Sequence, residues 1–216
     1  MVSRAGGGPI VWRRVDTIRA LFEAMRPAVV AIDVPIGLLE RGARECDAEA
    51  RRLLGVRRSS VFPAPIRPML VARSHAEASQ IRHRLEDKRV SIQTWGILPK
   101  IAEVDRFLRA SPGRRDVLRE AHPEVSFFLL NGRRPMSHPK RTARGQAERL
   151  RALGRWSGRA AQDALAERAD LGCQSDDIVD AFAALWTAER IHAGTAISIP
   201  GTPPRDAHGL RMEMMA

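Results

Sequence analysis

Acidic residues stand at positions along the chain where a carboxylate seldom serves packing. Asp33 lies in the apolar run AVVAIDVP (28–35), and an acid in such a run is rarely a packing residue. Glu124 follows a His-Pro pair at a turn from a predicted strand to a predicted helix, and Glu120 lies inside that strand. The helix dipole also favours a first-turn acid, so Glu124 has a structural explanation as well.

Three further acids lie in the segment SDDIVDAFAALWTAERI, which begins at Ser175. Asp177 and Asp180 are three residues apart and share a helix face, and Asp176 is four residues before Asp180. Asp180 lies among apolar neighbours, where a carboxylate is costly to bury unless it binds a metal ion or pairs with an arginine. Asp176 and Asp177 are also first-turn acids, and for Asp176 the helix dipole is the preferred explanation.

Together these carboxylates form the set expected of a two-metal phosphoryl-transfer centre. Oxygen ligands suit Mg²⁺ or Mn²⁺, which keep bound waters and contact substrate phosphates. The predicted catalytic residues are Asp33, Glu124, Asp177 and Asp180. The predicted metal ligands are Asp33, Glu120, Glu124, Asp176, Asp177 and Asp180.

The charge balance is strongly basic, with 36 Lys+Arg against 25 Asp+Glu and a formal net charge of +11. Such an excess favours a nucleic acid partner, because neutralising phosphates releases counterions. A compositional preference for arginine would produce the same excess, and a solvated helix face is the common explanation of such charges. The candidate phosphate contacts are Arg51, Arg52, Arg57, Arg58 and Lys100.

The pattern of the chain predicts the elements that position these residues. The run 28–35 is apolar on both faces, which is typical of a strand in a parallel sheet covered by helices, and active sites of open α/β sheets lie beyond the carboxyl ends of the strands. Further strands are predicted at 10–15, 117–121 and 196–199, and a helix is predicted to start at Pro99. We expect one domain over residues 1–216, with 1–9 disordered and 200–216 an irregular tail.

Other classes of protein are excluded by simple counts. The chain has no run of about 18 apolar residues and no signal-peptide pattern, so neither a membrane span nor secretion is expected. Its two cysteines, Cys46 and Cys173, do not make a disulfide framework or a four-cysteine zinc site. The predicted location is the cytoplasm.

Several blocks of sequence resemble a known family in the same order. They are AIDVPIGL (31–38), the basic helix with Cys46-Asp47 and Ala50-Arg51, SSVFPAP (59–65), SIQTWGILPKIAEVD (91–105), EAHPEVSF (120–127), the helix with Lys140, Gly145 and Arg149, DDIVDAFAALWTA (176–188) and DAHGLRME (206–213). From residue 28 onward the chain resembles the domain-of-unknown-function 429 family, a group of predicted nucleases. The resemblance implies an α/β fold of the RNase H-like, RuvC-related kind, with a mixed sheet flanked by helices.

The resemblance also implies roles for particular acids. Asp33 would stand near the scissile phosphate, and Asp177 or Asp180 would supply the late ligand of a RuvC-type helix. Members begin with a Gly-x-Asp strand, and no such strand precedes Ile10. Either the chain start is assigned too late, or the protein is a shortened member. In the second case we expect an N-terminally shortened sheet and an open strand edge at 28–35 that favours a homodimer. We also expect weak catalysis.

Three functions follow from the sequence. The first is a divalent-metal-dependent nuclease or phosphodiesterase that acts on nucleic acid. The second is a nucleic-acid-binding relative that lacks catalysis, and the third is a small-molecule phosphate hydrolase on the same fold.

Overall fold

The fold consists of short strand pairs flanked by helices. It is described from a computed structural model of residues 1–216. The strands are β1 (Val2–Arg4), β2 (Ile10–Trp12), β3 (Val30–Ile32), β4 (Leu118–Glu120), β5 (Ser198–Ile199) and β6 (Met214–Met215). The helices are α1 (Ile18–Met25), α2 (Glu45–Leu54), α3 (His75–Glu86), α4 (Ile92–Ala110), α5 (Pro123–Leu130), α6 (Ala143–Ser157), α7 (Ala160–Ala166), α8 (Arg168–Leu171) and α9 (Ser175–His192). None of these helices combines the length and the apolar composition that a membrane span needs.

Strand pairing brings the carboxyl ends of β3 and β4 to one edge. The two strands are parallel, with Ile32 opposite Glu120, and the Ala121 amide donates to the Ile32 carbonyl at 2.9 Å. β1 pairs with β2 and β5 pairs with β6, both antiparallel, and one bridge joins Ala121 to Met215. The strands thus form three pairs rather than one continuous sheet, and β3 has a strand neighbour on one side only.

Helix starts follow local capping chemistry. The hydroxyl groups of Thr17, Ser91 and Thr142 accept hydrogen bonds from backbone amides in the first turns of α1, α4 and α6. With Ser91 as its cap, α4 begins at Ile92, seven residues before Pro99. The prediction that this helix begins at Pro99 was therefore wrong. Pro99 lies inside the helix, where its missing N–H costs one backbone hydrogen bond.

The N-terminal residues differ from the sequence-based expectation of disorder. Val2–Arg4 forms β1, because a turn with positive φ at Gly6 (52°) and Gly7 (76°) reverses the chain and lets it pair with β2. The resulting hairpin packs against α9.

The C-terminal segment is tied into the core rather than being irregular throughout. Its Asp206 carboxylate accepts the Leu38 amide at 3.1 Å and the Leu210 amide at 2.9 Å. Met212 and Ala216 are buried beside α2 and α5. Backbone pairing of β5 with β6 then closes this part of the fold.

Candidate metal and phosphate site

Asp33 lies at the shared carboxyl edge of β3 and β4. It directly follows Ile32, and His122 directly follows Ala121, so hydrogen bonding between Ala121 and Ile32 places the two polar residues next to each other. The Asp33 residue is exposed to solvent on one side, while protein atoms surround it on the others. This enclosure raises the pKa of the carboxyl group, and His122 and Lys140 act in the opposite direction.

Helix α9 brings Asp180 over β3. The α9 helix packs on β3 and on α5, so Asp180 faces the same region as Asp33 and Glu124. Its Oδ2 accepts a hydrogen bond from the Lys140 ammonium at 2.6 Å, whereas Oδ1 is buried without a partner. Burial raises the pKa of Asp180 to about 6; Lys140 opposes the rise, while Asp33 and Glu124 add to it. Three carboxylates therefore lie within electrostatic reach of one another.

Lys140 is the cation of this site. Burial lowers the pKa of its ammonium, but attraction to Asp180, Asp176 and Asp33 outweighs burial and raises the pKa. A raised pKa means that the surroundings favour the charged form of Lys140. For Asp180, a raised pKa means that the surroundings disfavour the charged form. Both shifts hold, because several carboxylates attract the Lys140 ammonium, while burial and repulsion by Asp33 and Glu124 disfavour the charge on Asp180.

Glu124 occupies the first turn of α5 and is paired with a buried arginine. Its Oε1 accepts hydrogen bonds from Nε (2.9 Å) and Nη2 of Arg149, which is 1% exposed. The same guanidinium donates to the carbonyls of His138 and Gly145. The second carboxylate oxygen, Oε2, is buried and has no partner. Arg149 thus leaves half of the Glu124 carboxylate available.

Close packing of α6 fixes the segment that leads to Lys140. At Gly145, a Cβ atom would lie 1.9 Å from the Pro139 carbonyl oxygen, so only glycine allows this approach. The Thr142 hydroxyl donates to the same carbonyl at 2.8 Å. The ammonium of Lys140 is therefore positioned by the backbone immediately before it.

His122 adds a group that can exchange a proton. Its Nε2 lies 3.3 Å from the Ser60 carbonyl oxygen, which can only accept, so Nε2 carries the hydrogen. In the neutral ring Nδ1 is then an acceptor, and this atom is buried without a partner.

A cleft of about 460 Å³ opens beside these groups. Its lining is almost wholly polar, and Val179 is its one hydrophobic residue. The lining residues are Lys140, Arg141, Gln146, Arg149, Gln174, Ser175, Asp176, Asp177, Val179 and Asp180. Its size and its mixture of cations and acids suit a phosphate-bearing ligand better than an apolar one.

Two of the predicted acids serve the fold. Glu120 is buried and accepts from both Nη atoms of Arg44, at 2.7 and 2.8 Å, and from the Ile36 amide at 2.6 Å. Burial raises the pKa of Glu120, and Arg44 opposes that rise. Asp177 accepts from the Gln174 amide in a capping box at the start of α9, although it also lines the cleft. Asp176 lies at the rim, with carboxylate–cation distances of 3.9 Å to Lys140 and Arg141.

Of the five basic residues predicted to contact phosphate, three bind other parts of the protein and two are exposed. Arg51 donates to the Val61 carbonyl and Arg57 to the Met136 carbonyl, so both bind backbone. Lys100 donates to the carbonyl of Asp16 and to Glu103, none of which line the cleft. The remaining two residues, Arg52 and Arg58, are exposed.

Sequence reasoning did not assign a role to Lys140, Arg149 or His122. The rarity of lysine could have drawn attention to Lys140. The chain has 36 basic residues, and Lys88 and Lys100 are its only other lysines. Arg149 belongs to a block that resembles the family, as Lys140 does, but the resemblance implied no role for it. His122 lies between a predicted strand and a predicted helix. This position does not show that His122 lies next to Asp33 in the folded chain.

A metal ion fits this donor set in part. The structure has no group of three His, Cys, Asp or Glu side chains arranged to hold a metal ion. It does have two buried, unpartnered carboxylate oxygens, Asp180 Oδ1 and Glu124 Oε2, beside the exposed Asp33. Mg²⁺ usually takes one or two carboxylates and completes its shell with waters and substrate phosphates, so an open site of this kind is compatible with it.

Fold and site define an α/β protein with a carboxylate-rich polar cleft between α6 and the start of α9, and α9 packs on β3. The chain belongs to the family described as "Protein of unknown function (DUF429)", which matches residues 2–205. The match includes the β1–β2 hairpin, and so extends further towards the N-terminus than the resemblance from residue 28 onward. No curated protein and no solved structure matches the chain.

Proposed function

We propose that the chain is an RNase H-like hydrolase that cleaves phosphodiester bonds of nucleic acid with the help of a divalent cation. The observation that carries the proposal is a pair of buried carboxylate oxygens without partners, Asp180 Oδ1 and Glu124 Oε2. Asp180 lines the polar cleft, and Glu124 is bound to Arg149, which also lines it. A buried anionic oxygen without a partner is costly unless a cation or water binds it. Both cysteines are free, which is compatible with action in the cytoplasm.

One cation suits the site better than the predicted two. The Lys140 ammonium already neutralises Asp180 Oδ2, and Arg149 already neutralises Glu124 Oε1. The free oxygens of Asp180 and Glu124 would hold a Mg²⁺ or Mn²⁺ ion, with waters and substrate phosphates in its other positions. Such an ion supplies a Lewis acid and lowers the pKa of a bound water.

The chain's own residues supply the other parts of the reaction. Lys140 offers a fixed positive charge for the negative charge that develops on the phosphate oxygens. Asp33, which is open to solvent at the strand end, accepts the proton of an attacking water. His122 Nδ1, held as an acceptor by the Ser60 carbonyl, is a second acceptor of that proton.

The test measures cation binding before activity. Mn²⁺ titration by electron paramagnetic resonance should give one site in the wild-type chain. Asp180→Asn and Glu124→Gln should weaken binding by at least about tenfold, and the exposed-acid control Asp163→Asn should not. Failure of Mn²⁺ to bind, or equal binding by all four proteins, would overturn the proposal.

A second candidate is a nucleic-acid-binding relative without catalysis. The absence of a group of three metal-ligating side chains favours it. Cleavage assays with labelled single-stranded and duplex nucleic acid in Mn²⁺ separate the two, and an arm with 4-nitrophenyl phosphate tests the small-phosphate hydrolase. Binding of nucleic acid without cleavage in any arm would select the second candidate.

A further inference from the structure

The surface of the segment 55–63, which we call the Phe62 platform, carries apolar and basic side chains next to each other. Phe62 is 57% exposed and Val56 is 87% exposed, and Phe62 is the one aromatic ring among the exposed large hydrophobic side chains. Between them, Arg58 is exposed and forms no ion pair. A fold seldom gains stability from exposing these groups together, whereas a binding surface does.

Hydrogen bonds to the backbone hold the platform in place. Arg51 Nη1 donates to the Val61 carbonyl at 2.6 Å, and Ser60 Oγ donates to the Arg57 carbonyl at 2.7 Å. Arg57 Nε donates to the Met136 carbonyl at 2.8 Å. The exposed side chains thus stand on a fixed backbone, which reduces the entropy lost when a ligand binds.

The platform adjoins the candidate site on two sides. The Ser60 carbonyl contacts His122, which neighbours Asp33 at the strand edge. Met136, the partner of Arg57, lies four residues before Lys140 in the loop that follows α5. A chain that rests on the platform can therefore continue into the site.

The loop that follows α5 carries further free positive charge. Arg133 and Arg134 lie in it, and Arg144 lies in the first turn of α6. All three are exposed, and like Arg58 they form no ion pair. Unpaired guanidinium groups on both sides of the Arg57–Met136 contact suit a polyanion, because they bind phosphate oxygens in a bidentate manner.

We infer that the Phe62 platform binds single-stranded nucleic acid, with a base stacked on Phe62 and the backbone phosphates on Arg58 and the loop arginines. Single-stranded substrate follows from the exposed ring, because a base can stack on an aromatic side chain only when its face is free, and a duplex covers those faces. The inference rests on the proposed function for what happens to the bound strand, and binding itself is measured without metal.

Fluorescence anisotropy with a labelled 20-nucleotide oligo-dT strand in EDTA tests the inference. Phe62→Ala should weaken binding by at least about fivefold, because stacking on one aromatic side chain contributes at least this factor. Phe62→Trp should restore it. Arg58→Ala should make the dependence of log affinity on log salt shallower by about 0.7, the value for one phosphate contact on a single strand.

Matched controls make the outcome decisive. Val11→Ala removes an exposed apolar side chain from β2, and Arg106→Ala removes an exposed arginine from α4; neither should change binding. Equal binding by Phe62→Ala and Val11→Ala, or duplex binding as tight as single-strand binding, would overturn the inference. So would binding to phosphatidylserine vesicles without binding to oligo-dT. If the wild-type chain binds the strand in EDTA but binds no Mn²⁺, the proposed function alone would be refuted.

Discussion

Asp180→Asn should make the protein more stable at neutral pH, which is unusual for a substitution in a catalytic cleft. The Asp180 side chain is 12% exposed, and burial raises its pKa from the ordinary 3.8 to about 6. At about 1.4 kcal/mol per pH unit, ionising this carboxyl group in the folded protein costs about 3 kcal/mol relative to the unfolded chain. Asparagine keeps the shape and removes this cost.

The sign follows from proton binding. Because the folded state holds the Asp180 proton more tightly, this group lowers the free energy of unfolding as pH rises from about 4 to about 6, and not further above. The stability difference between Asp180→Asn and wild type should therefore grow across this window. For a chain of 216 residues, about 3 kcal/mol corresponds to an increase in Tm of roughly 6–12 °C at pH 8.

Thermal unfolding followed by circular dichroism between pH 4.5 and 8.5 measures the effect. Adding MnCl₂ at pH 7.5 should raise the Tm of wild type and leave Asp180→Asn almost unchanged, since ligand binding at a hundredfold excess over Kd stabilises by about 2.7 kcal/mol. Asp177→Asn is the control of opposite sign, because it weakens a helix cap and should lower stability by about 0.3–1 kcal/mol. If Asp180→Asn is less stable than wild type at pH 8, the carboxylate is well satisfied, and the reasoning about its free oxygen is wrong.

Four other substitutions test the structure around the site and at the edge of β3. Gly145→Ala should lower the Tm because its Cβ would meet the Pro139 carbonyl, while Gly154→Ala, in the same helix with open space, should raise stability by roughly 0.5–1 kcal/mol. Glu120→Gln should cost about 3–5 kcal/mol in urea unfolding and leave Mn²⁺ affinity intact; a folded variant that loses Mn²⁺ would make Glu120 a ligand. The homodimer predicted from the open edge of β3 should appear as concentration-dependent sedimentation. Ala31→Pro should abolish it, because Val30 and Ile32 bond to β4 and the Ala31 amide faces outward; a wild-type chain that stays monomeric would refute this.

Much of the secondary structure and two of the site's acids could be read from local pattern. The apolar run around Asp33 indicated a buried strand ending in an acid. The structure has β3 there, paired in parallel with β4, but Val30–Ile32 is only partly buried. The segment that begins at Ser175, with acids in its first turn and an apolar flank, indicated the helix that carries Asp180. These inferences work because burial and capping leave periodic signals within a few residues.

Pairings between distant residues were decided by the tertiary structure alone. Glu120 and Glu124 are four residues apart and of the same type, yet one is held by Arg44, 76 residues away, and the other by Arg149, 25 residues away. Lys140 reaches Asp180 across 40 residues. Which of many arginines pairs with which acid depends on how helices and strands pack.

The sequence by itself therefore determined the family, the α/β class, and the places where a carboxylate is hard to explain by packing. Tertiary structure decided which carboxylates share a cleft, that Glu120 is fully paired, and that Asp180 and Glu124 each keep one oxygen free. It also decided which arginines stay exposed. The physical reason is that periodicity reports the surroundings of a segment as an average, whereas a hydrogen bond depends on the position of one particular distant atom.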